Sequence, residues 1–296
     1  MPNKDILFSI IVPTYNRETF IEKTIRSILA QTYPHFEIII ADDGSKDNTE
    51  AVVKAIDDKR IAYYRKENGE RGAARNFGIA RAKGDFVTFI DSDDVLYPNH
   101  FEEAIKLLKA NPTAEVFHLA YEYRDTDANL LDTKKHWRNF NEQLIRGNII
   151  SCIGIFIKQG ILADDLLFSE NRTLSGTEDW LLWLRLAARY KFHYSNTITA
   201  CMINHDSRSV LNFDEQAMLT RTNLLMQGLK ADDKFMAVYG HYLGRIEAHM
   251  LSYIALHLQL SQQKNDAWAY FTKAVKLDVR ELFTRRSLAI LKRQLL

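Results

Sequence analysis

The feature that most limits the fold of this chain is the regular alternation of apolar runs and amphipathic segments near its start. The runs are short and rich in β-branched residues, which is typical of buried strands. The segments between them carry apolar side chains at helical spacing. Alternating strands and helices form right-handed βαβ units, so the pattern predicts an α/β fold with a mostly parallel sheet flanked by helices. Strands are predicted at residues 6–12, 37–41, 61–64 and 86–90, and helices at residues 18–31, 49–56, 72–82 and 99–110.

The rest of the chain has a more mixed pattern. Residues 116–123 and 149–157 are predicted to be strands, and residues 178–190 a helix rich in Trp and Leu. After about residue 210 the chain is predicted to be helical throughout. We therefore expect two domains, residues 1–210 and a helical C-terminal extension at residues 211–296. Within the extension, one long amphipathic helix is predicted over residues 235–253, a second from residue 265, and a last one over residues 279–296.

Polar clusters follow three of the predicted strands at the point where each strand ends. They are Thr14-Tyr15-Asn16, Asp42-Asp43 and Asp91-Ser92-Asp93-Asp94. Ligands of parallel α/β sheets bind at the carboxyl ends of the strands. Three clusters on one edge therefore predict a binding site there, rather than three unrelated solvated turns.

The most acidic cluster places Asp91, Asp93 and Asp94 within four residues. Carboxylates this close repel one another unless a positive group lies among them. A hard divalent cation with oxygen ligands, Mn²⁺ or Mg²⁺, would relieve that repulsion and would also bind substrate phosphates. An acidic helix-capping loop explains the same residues, so both interpretations stay open.

Two further segments have a binding and a structural interpretation. Asp42 and Asp43 can accept hydrogen bonds from a nucleobase or a ribose, or can form a turn and a helix cap. The small residues before Arg75 leave backbone N–H groups open to an anion, and Arg75 could pair with phosphate. Close packing of a small-residue helix on the sheet explains the latter segment too.

Two later positions are candidates for chemistry. Glu178 and Asp179 begin an apolar helix, where acids suit the helix dipole, and one of them could act as a general base. His205 follows an apolar segment and could complete a metal site, although a lone histidine is more often structural.

Composition excludes some classes of function. The net charge of +1 gives no overall basic field, so nucleic acid is not an expected partner. Cys152 and Cys201 lie far apart and form no CxxC pair, which argues against a structural zinc site and favours a reducing, cytoplasmic setting. No apolar run approaches the length of a membrane-spanning helix.

These motifs, in this order, resemble the family 2 glycosyltransferases of the GT-A fold, of the type that builds bacterial cell-surface polysaccharides. The similar segments are Ser9 to Arg17, Glu37 to Asp47, Gly72 to Asn76, Asp91-Ser92-Asp93 (the DxD motif) and Gly176 to Asp179 with Trp183 and Arg185. The resemblance implies a Rossmann-like sheet and transfer of a sugar, with inversion, from a nucleoside-diphosphate sugar to a hydroxyl.

The resemblance also implies roles for the site residues. Uridine is the usual nucleoside, so a UDP-sugar is the expected donor, with Mn²⁺ or Mg²⁺ as the cofactor. Asp179 would be the catalytic base, supported by Glu178. The loop after the first strand and the acidic turn would hold the nucleoside through Pro13, Thr14, Tyr15, Asn16, Asp42 and Asp43. Asp91 and Ser92 would lie at the ribose, and Arg75 would face the diphosphate. The metal ligands would be Asp93, Asp94 and His205.

The acceptor implied by the resemblance is a glycan or a lipid-linked molecule. Residues 276–296 contain six basic and two acidic residues, and Leu288, Leu291 and Leu295 share a helical face. Residues 279–296 could therefore contact the inner face of a membrane peripherally, or could form a solvated helix packed on its neighbours. The long C-terminal helices could also pair between chains as a homo-oligomer.

Two other functions fit part of the sequence. Asp91-Ser92-Asp93-Asp94-Val95 has the pattern of a haloacid-dehalogenase-type phosphatase, although that nucleophile normally follows the first strand of its domain. Alternatively, the chain could be a non-catalytic interaction module that acts through its helical tail.

Overall fold

A computed structural model describes residues 5–136, 139–163, 165–205 and 213–295. Within this part the chain divides into two compact units. The first contains residues 1–140, 150–175 and 190–208, and the second contains residues 141–149, 176–189 and 209–296. The boundary expected at residue 210 lies outside the described residues, and the two-domain division at that point stays a prediction.

The first unit is built on one mixed sheet. Its strands are β1 (Phe8–Thr14), β2 (Phe36–Asp42), β3 (Ile61–Arg65), β4 (Phe86–Phe89), β5 (Val95–Leu96), β6 (Val116–Asp125), β7 (Leu130–Lys134), β8 (Ile155–Lys158) and β9 (Phe192–Asn204). The strand order is β3-β2-β1-β4-β8-β6-β9-β5, with β7 paired to β6. Strands β1 to β4 are mutually parallel, while β8, β7 and β5 join their neighbours antiparallel.

Helices α1 (Ile21–Leu29), α2 (Thr49–Lys54), α3 (Glu70–Ile79) and α4 (His100–Ala110) flank this sheet. Every residue of β1 is buried, which explains its nearly continuous apolar sequence. Aromatic rings fill the core beside it: Phe8 stacks on Phe101 with ring centroids 5.1 Å apart, and Phe117 stacks on Phe156 at 4.7 Å. The predicted α/β fold and its first four strands are confirmed, with ends that differ by a few residues.

The sheet is mixed rather than mostly parallel: β1 to β4 pair in parallel, and so do β6 and β9, whereas the pairs made by β5, β7 and β8 are antiparallel. The strand predicted at residues 149–157 is shorter, because only Ile155–Lys158 pairs, in antiparallel orientation with β4 and β6. Strands β5, β7 and β9 were not predicted. The first half of β9 is largely polar and partly exposed, and β7 is exposed along most of its length, so neither has the apolar run that marks a buried strand.

The second unit is helical. Its helices are α5 (Phe140–Leu144), whose first residue falls in the first unit, α6 (Glu178–Ala187), α7 (Glu215–Lys230), α8 (Asp233–Tyr239), α9 (Leu243–Leu260), α10 (Lys264–Leu277) and α11 (Arg285–Leu295). The single helix predicted over residues 235–253 is wrong, because a 3₁₀ turn at Gly240–Tyr242 separates α8 from α9. Glycine is a poor helix former, which accounts for the break. A second 3₁₀ segment, Val279–Phe283, precedes α11.

Across the described ranges, no helix combines the length and hydropathy that crossing a membrane requires.

Candidate functional site

The ends of three parallel strands lie side by side in the first unit. Thr14, the last residue of β1, is in register with Asp42, the last residue of β2. The Asp43 N–H donates to the Thr14 carbonyl at 2.8 Å, and the Ile90 N–H, just after β4, donates to the Ile11 carbonyl at 3.1 Å. The polar clusters that follow these strands therefore begin on one edge of the sheet, as the sequence predicts.

Asp42 is fully buried and its carboxylate is committed to the protein. One oxygen, Oδ1, accepts the Ser45 N–H at 2.7 Å, and the other accepts a hydrogen bond from the Tyr63 hydroxyl. Burial and the hydrogen bond to Asp42 both raise the pKa of Tyr63, so the phenol stays protonated as a donor. These contacts make Asp42 the residue that shapes the turn into Gly44, whose φ of +84° requires glycine.

The Asp43 carboxylate lies 4% exposed beside a lysine. Its Oδ1 accepts from Lys66 Nζ and from the Gly69 N–H, both at 2.8 Å. The Asn68 side chain donates to the Asp43 carbonyl at 3.0 Å. The loop of residues 66–69 is thus fastened to this acidic turn, and it contributes a cation and an amide beside the edge of the sheet.

The loop after β1 is fixed by its neighbours. Asn16 adopts a left-handed backbone conformation, with φ of 51°. Its side-chain oxygen accepts the Lys46 N–H at 2.8 Å, and its own N–H donates to the Ser45 hydroxyl at 2.9 Å. Thr14 and the preceding Pro13 are buried, whereas Tyr15 is 41% exposed. Tyr15 is therefore an exposed aromatic ring of this loop that a ligand can reach.

Arg75 lies in the middle of α3 and is 2% exposed. Its guanidinium pairs with Oδ1 of Asp91, just after β4, at 3.0 Å and lies over the Phe168 ring, 5.2 Å from the centroid. The next residue, Asn76, donates to the Phe168 carbonyl at 2.9 Å and accepts the Phe168 N–H at 3.0 Å. Helix α3 therefore orients Asp91 and anchors the loop that contains Phe168.

Asp93 faces a histidine and an arginine. The Nε2 atom of His205 lies 3.1 Å from Oδ2 of Asp93, and an Arg17 nitrogen lies 3.6 Å from the same oxygen. Phe20 stacks on the His205 ring, with centroids 4.7 Å apart and planes 23° from parallel. Nδ1 of His205 is buried without a hydrogen-bond partner among the described residues. Asp93 and His205 are both nearly buried, at 9% and 8% exposure.

Asp94 is directed elsewhere. It is 1% exposed, and its Oδ1 accepts the Ile203 N–H at 3.0 Å. The Thr24 hydroxyl donates to the Asp94 carbonyl at 2.8 Å. Asp94 therefore joins the acidic loop to the end of β9, two residues before His205. Ser92, between the acids, is buried at 5% exposure.

Asp93 and His205 are suited to hold a divalent cation whose coordination is completed by substrate oxygens. No group of three or more His, Cys, Asp or Glu side chains with metal-ligand geometry occurs in the described part of the chain. Asp93 and His205 do bring an oxygen and a nitrogen within 3.1 Å of each other. Mg²⁺ and Mn²⁺ are commonly held by one or two protein ligands together with phosphate oxygens and water, so such a pair is sufficient.

Glu178 and Asp179 lie in the second unit, at the start of α6. Glu178 is 2% exposed, and its Oε2 accepts the Gly176 N–H at 2.5 Å. Oδ1 of Asp179 accepts the Trp180 N–H at 2.7 Å and an Asn148 side-chain N–H at 3.0 Å. Gly176 has φ of +95°, a conformation that favours glycine. Glu178 therefore shapes the turn, while Asp179 is half-exposed and held in a fixed orientation.

Several residues of these sites were not predicted. Their sequence neighbourhoods show little periodicity, and each acts through a contact across the fold. Phe20 is hidden among the apolar residues of a helical pattern, and Asn76 was noted only as the end of a motif. The site residues that were not predicted are Arg17, Phe20, Lys66, Asn68, Asn76 and Asn148.

The chain belongs to the family 2 glycosyltransferases: the sequence profile of "Glycosyl transferase family 2" matches residues 9–158. This membership favours the expected transferase class over the phosphatase and the interaction module. An uncharacterized glycosyltransferase of Rickettsia typhi is 31% identical over 209 residues, 69% of this chain and 65% of that protein. TuaG of Bacillus subtilis, a glycosyltransferase named for teichuronic acid biosynthesis, is 33% identical over 190 residues, 62% of this chain and 75% of that protein.

Solved structures confirm the GT-A fold. A fragment of S. aureus TarS in complex with UDP-GlcNAc aligns with a TM-score of 0.70 at 20% identity, over 98% of this chain and 89% of that one. The mannosyltransferase PcManGT of Pyrobaculum calidifontis, in complex with GDP-Man and Mn²⁺, aligns with a TM-score of 0.55 at 19% identity, over 99% and 88%. The alignments span 65% of the Rickettsia typhi protein and 38% of a Rickettsia conorii relative, less than two thirds of either.

Proposed function

We propose that this protein transfers a sugar from a UDP-sugar to a hydroxyl of a glycan or lipid-linked acceptor, with inversion at the anomeric carbon. The observation that carries the proposal is the edge of the sheet where the polar clusters containing Thr14, Asp43 and Asp91 follow the neighbouring strands β1, β2 and β4, and where Asp93 faces His205. Parallel α/β sheets bind ligands at this edge. The UDP-GlcNAc complex of TarS supports a uridine nucleotide as the first donor to test.

The nucleoside would bind at the ends of β1 and β2. Tyr15 is an exposed aromatic residue of the loop after β1 and would cover the base, while Thr14 and Pro13 fix that loop. The Asp43 carboxylate, with Lys66 beside it, would accept a base or ribose donor. Asp42 and Asn16 would contribute indirectly, because their side chains already hold the turn and the loop in place.

The ribose and diphosphate would extend past the end of β4. Asp91, oriented by Arg75, would accept a ribose hydroxyl, with Ser92 beside it. Arg75 is buried against Asp91, so we assign it to positioning that carboxylate rather than to direct phosphate contact. Of the expected metal ligands, Asp93 and His205 would bind Mn²⁺ or Mg²⁺ directly. The bound cation would stabilise negative charge on the leaving diphosphate.

Asp179 would act as the general base. The acceptor oxygen attacks the anomeric carbon and forms the new glycosidic bond, while the bond from that carbon to the diphosphate oxygen breaks. The acceptor proton passes to Asp179, and the nucleoside diphosphate leaves with the bonding electrons. A single displacement of this kind inverts the anomeric centre. Glu178 would support Asp179 by fixing the turn at Gly176.

The name of one relative supports the proposed acceptor class. TuaG is named for teichuronic acid biosynthesis, and we propose by analogy that the acceptor hydroxyl belongs to a growing glycan. Polysaccharide acceptors are frequently lipid-linked, which would bring the enzyme to the inner face of the membrane. We therefore propose that the protein acts on cell-envelope polysaccharide at that surface. We also propose that chains pair through the C-terminal helices, which sedimentation would test.

The test is calorimetric titration of UDP into the purified protein, first with Mn²⁺ and then with EDTA, alongside Asp93→Ala. We expect binding that needs both the metal and Asp93. Such binding would then be followed by a screen of UDP-sugars for transfer or slow hydrolysis. Binding of a different nucleoside diphosphate would change the donor but keep the class. Absence of binding by every nucleoside diphosphate under every metal condition would overturn the proposal.

A further inference from the structure

Residues 276–293 present an exposed surface that is both basic and apolar. Its exposed cations are Lys276, Arg280, Arg285, Lys292 and Arg293, and its exposed large apolar side chains are Leu277, Val279, Phe283 and Leu288. Phe283 is 83% exposed, Val279 62% and Leu288 61%. These side chains together are called the C-terminal basic surface below.

The acids of the same segment are withdrawn from this surface. Asp278 is 7% exposed, accepts from Arg280 Nε at 2.8 Å and lies 3.7 Å from Arg245 Nε. Glu281 is 6% exposed. Asp278 therefore offsets the charge of Arg280, and neither acid exposes its carboxylate among the other cations of the segment.

Helix α11 separates its faces accordingly. Arg285, Leu288 and Lys292 follow one another at three- and four-residue spacing and are exposed, so they share a face. Ser287 and Ile290 are fully buried on the other side. The helix is therefore basic and apolar on its outward face.

Leu291 and Arg286 do not lie on the exposed face, contrary to the prediction from the sequence. Leu291 packs on the small core around Ile290, so it does not share an exposed apolar face with Leu288. Arg286 points inward, where it donates to the His249 carbonyl at 2.7 Å and to the Ser252 hydroxyl at 2.9 Å. The exposed apolar contribution comes instead from Val279 and Phe283, ahead of the helix.

We propose that the C-terminal basic surface binds an anionic lipid bilayer, with Phe283, Val279 and Leu288 inserted at the headgroup level. Lys276, Arg285, Lys292 and Arg293 would lie against the negative headgroups. Cations that flank exposed aromatic and aliphatic side chains are typical of segments that lie in the membrane interface. This inference deepens the proposed location at the inner face of a membrane, and vesicle binding tests it without any donor or acceptor.

A bilayer explains the surface better than a second copy of the chain does. In a two-fold contact each surface meets itself, which would bring the cations of the two copies together. A lipid surface supplies the opposite charge and an apolar phase at once. The burial of Asp278 and Glu281 favours the same partner, because exposed acids would repel anionic headgroups.

The test is flotation of the whole protein with vesicles of phosphatidylcholine alone and of phosphatidylcholine containing about 30% phosphatidylglycerol. We expect binding to the anionic vesicles only, and loss of that binding as salt rises from about 0.1 M to about 0.5 M. Lys292→Glu with Arg293→Glu, and separately Phe283→Ser with Leu288→Ser, should each weaken binding at least about tenfold.

Matched controls are available in the first unit. Lys106 and Lys109 are exposed on α4, so Lys106→Glu with Lys109→Glu makes the same change of charge elsewhere. Leu130 and Leu131 are 54% and 52% exposed on β7, so their replacement by Ser matches the apolar variant. Both controls should bind vesicles like the unchanged protein. Circular dichroism and UDP titration on the same samples report folding and nucleotide binding separately.

Three results would overturn the inference. One is equal binding of the paired variants and their controls, and another is equal binding to neutral and anionic vesicles. The third is a folded protein that does not bind vesicles but forms an oligomer or a complex with an oligonucleotide, and loses that oligomer or complex in the Phe283→Ser, Leu288→Ser variant. That third result would assign the surface to a second chain or to nucleic acid.

Discussion

The Nε2 atom of His205 lies 3.1 Å from Oδ2 of Asp93, although 112 residues separate the two in sequence. The neighbouring acid makes this approach possible, because Asp94 accepts the Ile203 N–H and so joins the end of β9 to the acidic loop. Phe20 then supports the imidazole from one side. The acidic motif thus supplies one residue that faces the histidine and another that brings the histidine's strand to it.

Asp93→Asn should weaken Mn²⁺-dependent UDP binding at least about tenfold, because an amide gives a cation no negative charge. Calorimetry with Mn²⁺ and with EDTA measures the effect. Asp127→Asn, at an exposed loop position, is the control and should bind like the unchanged protein. Equal affinity for the two variants would remove Asp93 from the proposed metal site.

The role of Asp94 can be separated from that of Asp93 by two replacements at one position. An asparagine still accepts the Ile203 N–H through its amide oxygen, whereas an alanine does not. If Asp94 positions β9, Asp94→Asn should keep Mn²⁺–UDP affinity within about threefold and Asp94→Ala should lose about tenfold or more. If Asp94 is itself a ligand, Asp94→Asn should lose as much affinity as Asp93→Asn does.

Arg75→Met should lower the free energy of unfolding by about 2 kcal/mol, because it leaves the Asp91 carboxylate without its buried partner. The cost is below that of a fully buried pair, since Asp91 is 29% exposed. Urea denaturation monitored by tryptophan fluorescence measures it. Arg26→Met breaks the exposed pair with Glu22 and should cost less than about 0.5 kcal/mol. Comparable losses in the two variants would contradict a positioning role for Arg75.

Asp179→Asn should reduce kcat about a hundredfold or more and leave the affinity for UDP within about twofold, as expected for loss of a general base. Steady-state transfer assays and calorimetry on the same preparation measure the two quantities. Asn148→Ala removes only one hydrogen bond to the same carboxylate and should have a smaller effect on kcat. A parallel loss of UDP affinity in Asp179→Asn would place this residue in binding instead.

Stability should fall as the solution is acidified from about pH 6.5, because histidines are buried in the uncharged form. Burial lowers the pKa of His100 from 6.5 to about 3. Between those values the unfolded chain binds a proton at this position and the folded chain does not, so the free energy of unfolding decreases as pH falls. His100→Gln should reduce the slope of the free energy of unfolding against pH by about 1.4 kcal/mol per pH unit.

Urea titrations between about pH 6 and pH 4.5 measure that slope within the window. His136 and His249, whose pKa values burial lowers to about 4 and about 3, should contribute in the same direction. His241→Gln, at an exposed position, is the control. An unchanged slope in His100→Gln would show that other groups account for the acid sensitivity.

The parts of the fold that could be predicted are those with a strong local signal. Strands β1, β2 and β4 are runs of buried apolar residues, and the acidic clusters at their ends stand out because carboxylates rarely crowd without a reason. Strand β9 could not be found in this way. Its first half is polar and partly exposed, and its place in the sheet depends on pairing with β6, more than sixty residues earlier.

The site was predictable in position but less so in detail. Sequence reasoning grouped Asp93 with Asp94, yet the two carboxylates turn to different partners, His205 and the Ile203 N–H. That difference is set by side-chain direction, which spacing within a loop does not determine. Residues such as Asn76 and Asn148 were missed because an amide has no distinctive pattern until its distant partners are known.

Asn76 holds the backbone of Phe168 through both its amide oxygen and its amide nitrogen, as a neighbouring strand would. The same amide nitrogen donates to Oε1 of Glu170 at 2.9 Å, so the attachment also involves one side chain of the segment that follows. Asn76→Asp would remove the donor half of this attachment. Chimaeras that exchange residues 169–175 should therefore retain both Asn76 and Glu170.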